Sequence, residues 1–380
     1  MNLDADVIVA GAGPGGASAA YFLGERGYKV LVLEKANLPR YKPCGGGVPN
    51  TVFNFFPFDF EPVIEQRISE ATFVYGARQF TQPVEANALT MVMRDQFDYY
   101  ILQHAQAEVR PGVEVASVTQ DVDKVKVTTK KGETFQAKYL IAADGANSPI
   151  ARSVGLREGK ELGVALELET EVDSATLAAY RERFLIGFGY LAAGYYWIFP
   201  KAHHLSIGIG TIKRGEKTMP KLLQEAMDSL GVSLEKNRRY AHPIPIRTRR
   251  EQLQQGRVLL VGDAAGLVDP LTGEGIRHAI ESAHIAAEAV ITGNIAQYTA
   301  LIEKNYTADL SWARLLSHII YNTQQFSFEW IVRNRLAFTD LIRILANQMS
   351  YRQFVVKLPF YILSLGSRLP LDEVPLKRAI

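Results

Sequence analysis

The chain has 380 residues, 47% apolar and 22% charged, with a formal net charge of +2 and a single cysteine, Cys44. That composition is that of a folded protein, and the length exceeds what one hydrophobic core usually serves, so two packed lobes are expected. The charge gives no global case for nucleic acid, the lone cysteine excludes an intrachain disulfide and fits a cytoplasmic setting, and no run of about 18 uninterrupted apolar residues predicts a spanning helix.

The opening MNLDAD carries no leader pattern and enters the first strand directly. Val7 to Ala10 form an apolar run that feeds Gly11-Ala12-Gly13-Pro14-Gly15-Gly16, followed by Ala- and Leu-rich sequence of helical period. The order is strand, tight turn, helix start. Gly11 lets the chain turn, Gly13 lets a pyrophosphate approach, and Gly16 lets helix pack on strand, while the helix N-terminus offers free N–H groups. A second apolar run ends in Glu34, 23 positions after Gly11, near the spacing of about 20 residues at which an acid meets a ribose 2′-OH. This pattern does not separate FAD from NAD, and glycine-rich turns also serve as plain chain reversals.

Residues 35–50, KANLPRYKPCGGGVPN, form a long loop whose glycines 45–47 let backbone pass a flat ligand with no Cβ in the way; a flexible linker has a similar composition. A Phe-rich stretch follows, from Phe53 to Phe60. MVMRDQFDYYILQ then predicts a strand end and a helix with Asp95 as N-cap. Arg94, at that junction, suits either a phosphate or an ordinary ion pair. Alternating runs up to residue 142 predict antiparallel strands with a turn at Lys131-Gly132, the last delivering Asp144 into a Gly/Asn/Ser turn. That corner is either a ligand edge or an Asx turn.

Residues 160–250 are strand-dominated and predict a sheet-built lobe inserted into the first. Within it Tyr195, Trp197 and Phe199 share one strand face, as core or as pocket wall. His203 and His204 fit exposed turn positions. The chain returns with GRVLLVGDAAGLVDPLTGEGIRHAIES, a buried strand ending at Gly262-Asp263, then a Pro/Gly loop and a helix from Gly275. Asp263 falls at a strand's carboxyl end, and Gly273 to Ile276 present N–H groups at a helix start. From Ala300 onward, helices mix aromatics with arginines; they either lie on a membrane surface or shield a greasy tunnel, or else cap the second lobe.

Four ordered motifs, GAGPGG at 11–16, RDQFD at 94–98, ADGANS at 143–148 and GDAAGLVDPLTGEGI at 262–276, resemble those of FAD-dependent oxidoreductases of the p-hydroxybenzoate hydroxylase type. Within that group, KPCGGGVP at 42–49 and YYWIFPK at 195–201 look like the geranylgeranyl reductase family. One departure is Ala192, where the extended family signature has proline.

The resemblance implies an α/β fold: a Rossmann-like FAD-binding domain (1–75, 93–157, 251–298), a strand excursion at 76–92, an inserted antiparallel-sheet substrate domain (158–250) and a C-terminal helical region (299–380). It places Gly11, Gly13, Pro14, Gly15 and Gly16 on the ADP pyrophosphate, Glu34 on the adenosine ribose, and Lys35 and Asp144 among the cofactor contacts. Arg94 would meet the phosphate and ribitol region, Val118 the adenine, and Gly262 and Asp263 the ribityl or pyrophosphate end. Gly273, Gly275 and Ile276 would face the isoalloxazine, with Cys44, Gly45 and Gly46 beside it. Tyr195, Trp197, Phe199 and Pro200 would line a prenyl pocket, with Cys44, Tyr195 and Trp197 as catalytic residues.

The implied reaction is reduction of isolated C=C bonds in a geranylgeranyl or other polyprenyl chain carried as diphosphate, pigment or lipid. NADPH or reduced ferredoxin would reduce the flavin transiently, and Cys44, Tyr195 or an ordered water would give the proton. Peripheral membrane contact through the C-terminal helices is expected; a metal or a nucleic-acid partner is not. The shared FAD motifs also permit a flavin monooxygenase or halogenase acting on an aromatic small molecule, or a non-catalytic flavin-binding membrane partner.

Overall fold

Val7 to Ala10, Val30 to Leu33 and Leu140 to Ala142 are all buried, which places these apolar runs inside a sheet covered on both faces. The computed structural model describes residues 3–156, 161–212, 218–234, 239–246 and 250–363, and the backbone of Asp372–Glu373. Five parallel strands run in the order Val258–Leu260, Thr134–Ala142, Ala5–Ala10, Val30–Glu34, Glu108–Pro111. Helices Pro14–Gly24 and Ile276–Ile291 pack against each other over this sheet. An antiparallel hairpin, Val115–Gln120 and Val125–Thr129, extends from the Thr134–Ala142 strand.

A second, eight-stranded sheet has the order Tyr240–Ile246, Glu161–Thr170, Leu205–Thr211, Gly194–Pro200, Arg183–Phe188, Glu70–Tyr75, Arg78–Pro83, Asp372–Glu373. Its outer face buries Leu166, Leu168, Tyr196, Ile198, Ile207 and Ile209 under the helix Met219–Leu230, which strand-dominated sequence does not announce. Its inner face carries the other alternation: Tyr195, Trp197 and Phe199, then Gly210, Gly208 and Ser206, then Ala165, Glu167 and Glu169, in register across three strands. Glu70–Tyr75 pairs in parallel with Arg183–Phe188, so the excursion into this sheet begins at residue 70 rather than 76. The expected boundary at 157 falls outside the described residues, as does the tail beyond Leu363 apart from Asp372–Glu373.

Four helices, Ala308–Asn322, Gln324–Arg333, Arg335–Leu345 and Tyr351–Leu363, close over the inner face. Phe328, Val332, Phe338 and Ile342 pack on Phe73, Phe80 and Phe184. These segments therefore cap the second lobe. Among the described residues no helix is long and apolar enough to cross a membrane.

Candidate active site

One cavity of about 1270 Å³ runs from the first turn, past the 40–47 loop and the Tyr195 strand, to the C-terminal helices. Drug-sized ligands occupy pockets of about 300–1,000 Å³, so this one has room for an extended cofactor and a second molecule.

At one end, Gly11, Gly13, Pro14 and Gly15 line the wall, and the helix Pro14–Gly24 starts with no side-chain cap on its N–H groups. Gly16 lies underneath, where a Cβ would strike the Gly11 carbonyl. Glu34 is buried and accepts from the Ala12 N–H at 2.7 Å and the Ala36 N–H at 2.9 Å. Lys35 lines the cavity beside it. Arg94 is buried in a two-pronged bond to Asp98, 2.9 Å from Nε to Oδ1 and 2.7 Å from Nη2 to Oδ2. Arg40 reaches the same Asp98 at 3.3 Å and Glu34 at 3.7 Å. Arg40 Nη1 is buried without a hydrogen-bond partner, and Arg40 Nη2 is 3.3 Å from where a Gly13 Cβ would stand. Uncapped N–H groups and an unsatisfied guanidinium edge around a glycine turn fit a pyrophosphate.

The helix bearing Arg94 starts two residues earlier than expected: Met93 is the N-cap, and Asp95 sits in the first turn, its carboxylate accepting from the Gln96 N–H. Asp144 lines the cavity and accepts from the Ile150 N–H at 3.2 Å. Val118 does not line it. Its side chain is buried in the hairpin opposite Val127, and Val113, Glu114 and Val115 form the wall there.

Gly262 and Asp263 stand at the carboxyl end of the Val258–Leu260 strand, as expected. Asp263 Oδ2 is 3.2 Å from Lys42 Nζ and 3.8 Å from His242 Nε2. Burial opposes its charge, yet Lys42 and His242 hold the carboxyl well below its usual range. Gly275 caps the helix Ile276–Ile291 without a side-chain hydrogen bond, and Gly273, Gly275 and Ile276 line the cavity. The loop before them is held by Asp269, whose Oδ1 accepts from the N–H groups of Leu271 and Thr272 and whose Oδ2 accepts from Tyr351 Oη at 2.7 Å. Tyr195 Oη donates to the Thr272 carbonyl, and Tyr321 Oη to the Leu271 carbonyl.

Cys44, Gly45 and Gly46 line the cavity opposite Tyr195, Trp197 and Phe199. Cys44 Sγ accepts from the Gly46 N–H at 3.4 Å. Gly46 has φ +67°, and a Cβ there would strike the Val92 carbonyl and approach Lys201 Nζ at 2.8 Å, so the loop is fitted against protein and is no flexible linker. Lys201 is fully buried and donates to the carbonyls of Gly45 at 2.8 Å and Val92 at 3.0 Å, pinning the loop to the second sheet. The Trp197 ring lies over Gly208, where any Cβ would collide with it. Trp197 Nε1 is buried without a partner and lies 3.0 Å from where a Gly45 Cβ would stand. Pro200 is absent from the cavity wall: strand alternation turns it, with Tyr196 and Ile198, to the opposite face.

The convergence of a strand–glycine turn–helix, an acid after the second strand and a helix start at the third segment defines a nucleotide-binding oxidoreductase fold. Residues 4–294 match the FAD binding domain family, so the chain is an FAD-dependent oxidoreductase. It belongs, within that class, to the geranylgeranyl reductase family. A chloroplastic geranylgeranyl diphosphate reductase of Oryza sativa subsp. japonica is 30% identical over 79% of this chain and 69% of that protein. A menaquinone reductase of Mycobacterium tuberculosis is 28% identical over 84% of this chain and 85% of that one. The crystal structure of a geranylgeranyl bacteriochlorophyll reductase-like protein from Thermoplasma acidophilum shares the fold, with a TM-score of 0.76 at 22% identity over 96% of both chains.

Proposed function

We propose that this flavoprotein saturates isolated C=C bonds of a polyprenyl chain carried as a diphosphate, a pigment side chain or a lipid tail. The observation that carries the reading is the far half of the cavity, walled by Phe73, Phe184, Ile186, Phe188, Phe328 and Phe338. Such a wall favours hydrocarbon at about 25 cal/mol per Å² removed from water and offers nothing to a polar ring. It is continuous with the glycine-turn end, so a long chain could lie with its alkene beside the cofactor. The rice and mycobacterial relatives are named for prenyl-bearing substrates, which fits the same wall.

FAD, when bound and reduced, would supply a hydride, which carries both electrons of the reduction; NADPH or reduced ferredoxin is the proposed donor. The chain's own residues do the rest. Gly11 to Gly15 and Arg40 would hold the pyrophosphate, Glu34 the ribose, and Arg94, Asp263 and the Gly273–Ile276 segment the remainder. Asp98 is a positioning residue for both arginines. Trp197 and Tyr195 present aromatic faces to positive character developing on the substituted carbon, worth about 0.5–2 kcal/mol per well-placed ring. Tyr195 also anchors the Thr272 loop.

The C-terminal helices add a route for lipid-borne substrate. Eight of the ten exposed large hydrophobics among the described residues lie on them: Leu315, Ile319, Phe326, Leu336, Val356, Phe360, Ile362 and Leu363. We propose that this surface touches a membrane without entering it.

Dithionite-reduced holoprotein, mixed anaerobically with geranylgeranyl diphosphate and followed by mass spectrometry, tests the reading. A gain of two hydrogens per bond supports it; an unchanged prenyl chain, with O₂-dependent modification of an aromatic molecule in a parallel aerobic assay, instead identifies a monooxygenase or halogenase.

A further inference from the structure

Among the described residues, Glu167 is the one acid on the inner face of the second sheet that is both buried, at 1% exposure, and part of the cavity wall. Strand register sets it directly across Gly208 from Trp197. Its Oε1 accepts from Ser206 Oγ at 2.9 Å. Its Oε2 is buried with no hydrogen-bond donor, and Glu169, two residues on, faces it from the same side of the strand. Glu169 Oε2 lies 2.8 Å from His204 Nε2, and these two side chains are about one fifth exposed, at 20% and 21%. A line of ionisable groups thus runs from the cavity to solvent.

We propose that Glu167 carries the proton that C=C reduction consumes, and that Glu169 and His204 return it from solvent. The assignment rests on the C=C reduction reading above. Saturating one double bond adds a hydride to one carbon, from the reduced flavin, and a proton to the other. The Glu167 O–H bond breaks, a C–H bond forms, and a carboxylate remains; a proton from water, passed over His204 and Glu169, restores the acid.

A carboxylate in this position would keep an oxygen buried with no donor, an unfavourable arrangement, whereas the protonated acid brings its own donor. Burial first, and Glu169 second, push the Glu167 carboxyl up to about 8. The other groups facing it leave that balance in place. Lys201 lowers it, but its ammonium is spent on the Gly45 and Val92 carbonyls. Tyr41 from the 40–47 loop and Tyr240 from the neighbouring strand pack with tilted rings, centroids 4.5 Å apart, and Glu65 accepts from the Ala202 N–H at 3.0 Å. Of the donors expected from sequence, neither side chain is as well placed. Tyr195 has its hydroxyl proton on the Thr272 carbonyl, and burial pushes its phenol up; Cys44 Sγ is engaged as an acceptor.

Glu167→Gln keeps the shape and the Ser206 contact and removes the acid. In infrared spectra of the oxidised holoprotein at pH 7, a protonated-carboxyl band should be present in the natural protein, fade as pH rises past 8, and be missing in Glu167→Gln. In anaerobic single turnover the variant should bind FAD with an unchanged visible spectrum yet form saturated product about 10²–10⁴-fold more slowly, the range for loss of a general acid. Glu169→Gln and His204→Asn should slow steady-state turnover more than the first turnover. Should Glu167→Gln fail to load FAD, Glu167→Asp should keep a shifted band and part of the rate. Absence of the band, or an undiminished single-turnover rate in Glu167→Gln, overturns the assignment. A natural protein that reduces no prenyl alkene while showing the band overturns the reductase reading instead.

Discussion

Trp197 rests on Gly208 with its indole N–H unpaired beside Gly45, so the ring is held by shape and not by a hydrogen bond. Trp197→Ala should lower turnover far more than FAD occupancy, but it also opens a void costing about 3–5 kcal/mol of stability. Trp197→Phe separates the two effects: turnover is expected to fall tenfold or more with the melting temperature nearly kept, and flavin loss in proportion to activity would mark the strand as purely structural. Gly46 is held in a left-handed backbone against Val92 and Lys201. Gly46→Ala is expected to cost about 1–2 kcal/mol for its left-handed backbone alone, and more through Val92, as read by thermal unfolding. Glu167 also has a signature in stability. Its folded-state pKa is raised, so its contribution is full below the ordinary carboxylate value and is lost as pH climbs to about 8. The melting temperature of Glu167→Gln should therefore fall less steeply than that of the natural chain between pH 5 and 8. The glycine turn, Glu34 and Asp263 were legible because each answers to a spacing rule. Glu167 was not, since alternate acids on a strand ordinarily mark a solvent face, and only the tertiary fold turns that face inward. Val118 and Pro200 missed for lack of register, which strand pattern alone does not supply.

Among elements, the 269–275 loop joins the two lobes and the C-terminal helices. Asp269 closes it upon itself, while Tyr195, Tyr321 and Tyr351 reach it from three separate segments. Asp269→Ala strips two N–H groups and one hydroxyl of their acceptor, each worth about 1–3 kcal/mol when left buried. The expected result is weaker FAD binding by tenfold or more in a flavin-release titration, with the far-ultraviolet circular dichroism unchanged. The GDAAGLVDP stretch announced a strand, an acid and a helix start, but a loop's tyrosine anchors lie up to 82 residues away in sequence and leave no local trace. The helix Met219–Leu230 escaped for a related reason: its apolar positions Met219, Leu223, Ala226 and Met227 occur inside sequence dominated by strand alternation.

At the scale of the molecule, a parallel-sheet lobe binds the dinucleotide, a second sheet supplies the aromatic and acidic wall, and four helices seal the apolar end. Val356, Phe360 and Leu363 form one exposed stripe on the last described helix, at 71%, 59% and 85% exposure. Phe326→Ser with Phe360→Ser is expected to reduce cosedimentation with anionic phospholipid vesicles several-fold while leaving turnover on short, water-soluble prenyl diphosphates unchanged; undiminished cosedimentation would remove the membrane role. The sequence pattern left these helices between membrane surface and cap, and the fold assigns their inner faces to the cap. The most direct measurement of the shared cavity is stopped-flow absorbance of dithionite-reduced holoprotein mixed, without oxygen, with geranylgeranyl diphosphate. The flavin should reoxidise at a rate set by alkene concentration and should stay reduced with the fully saturated analogue. A flavin that stays reduced at every alkene concentration, or that reoxidises equally with the saturated analogue, would contradict a common chamber for flavin and prenyl chain.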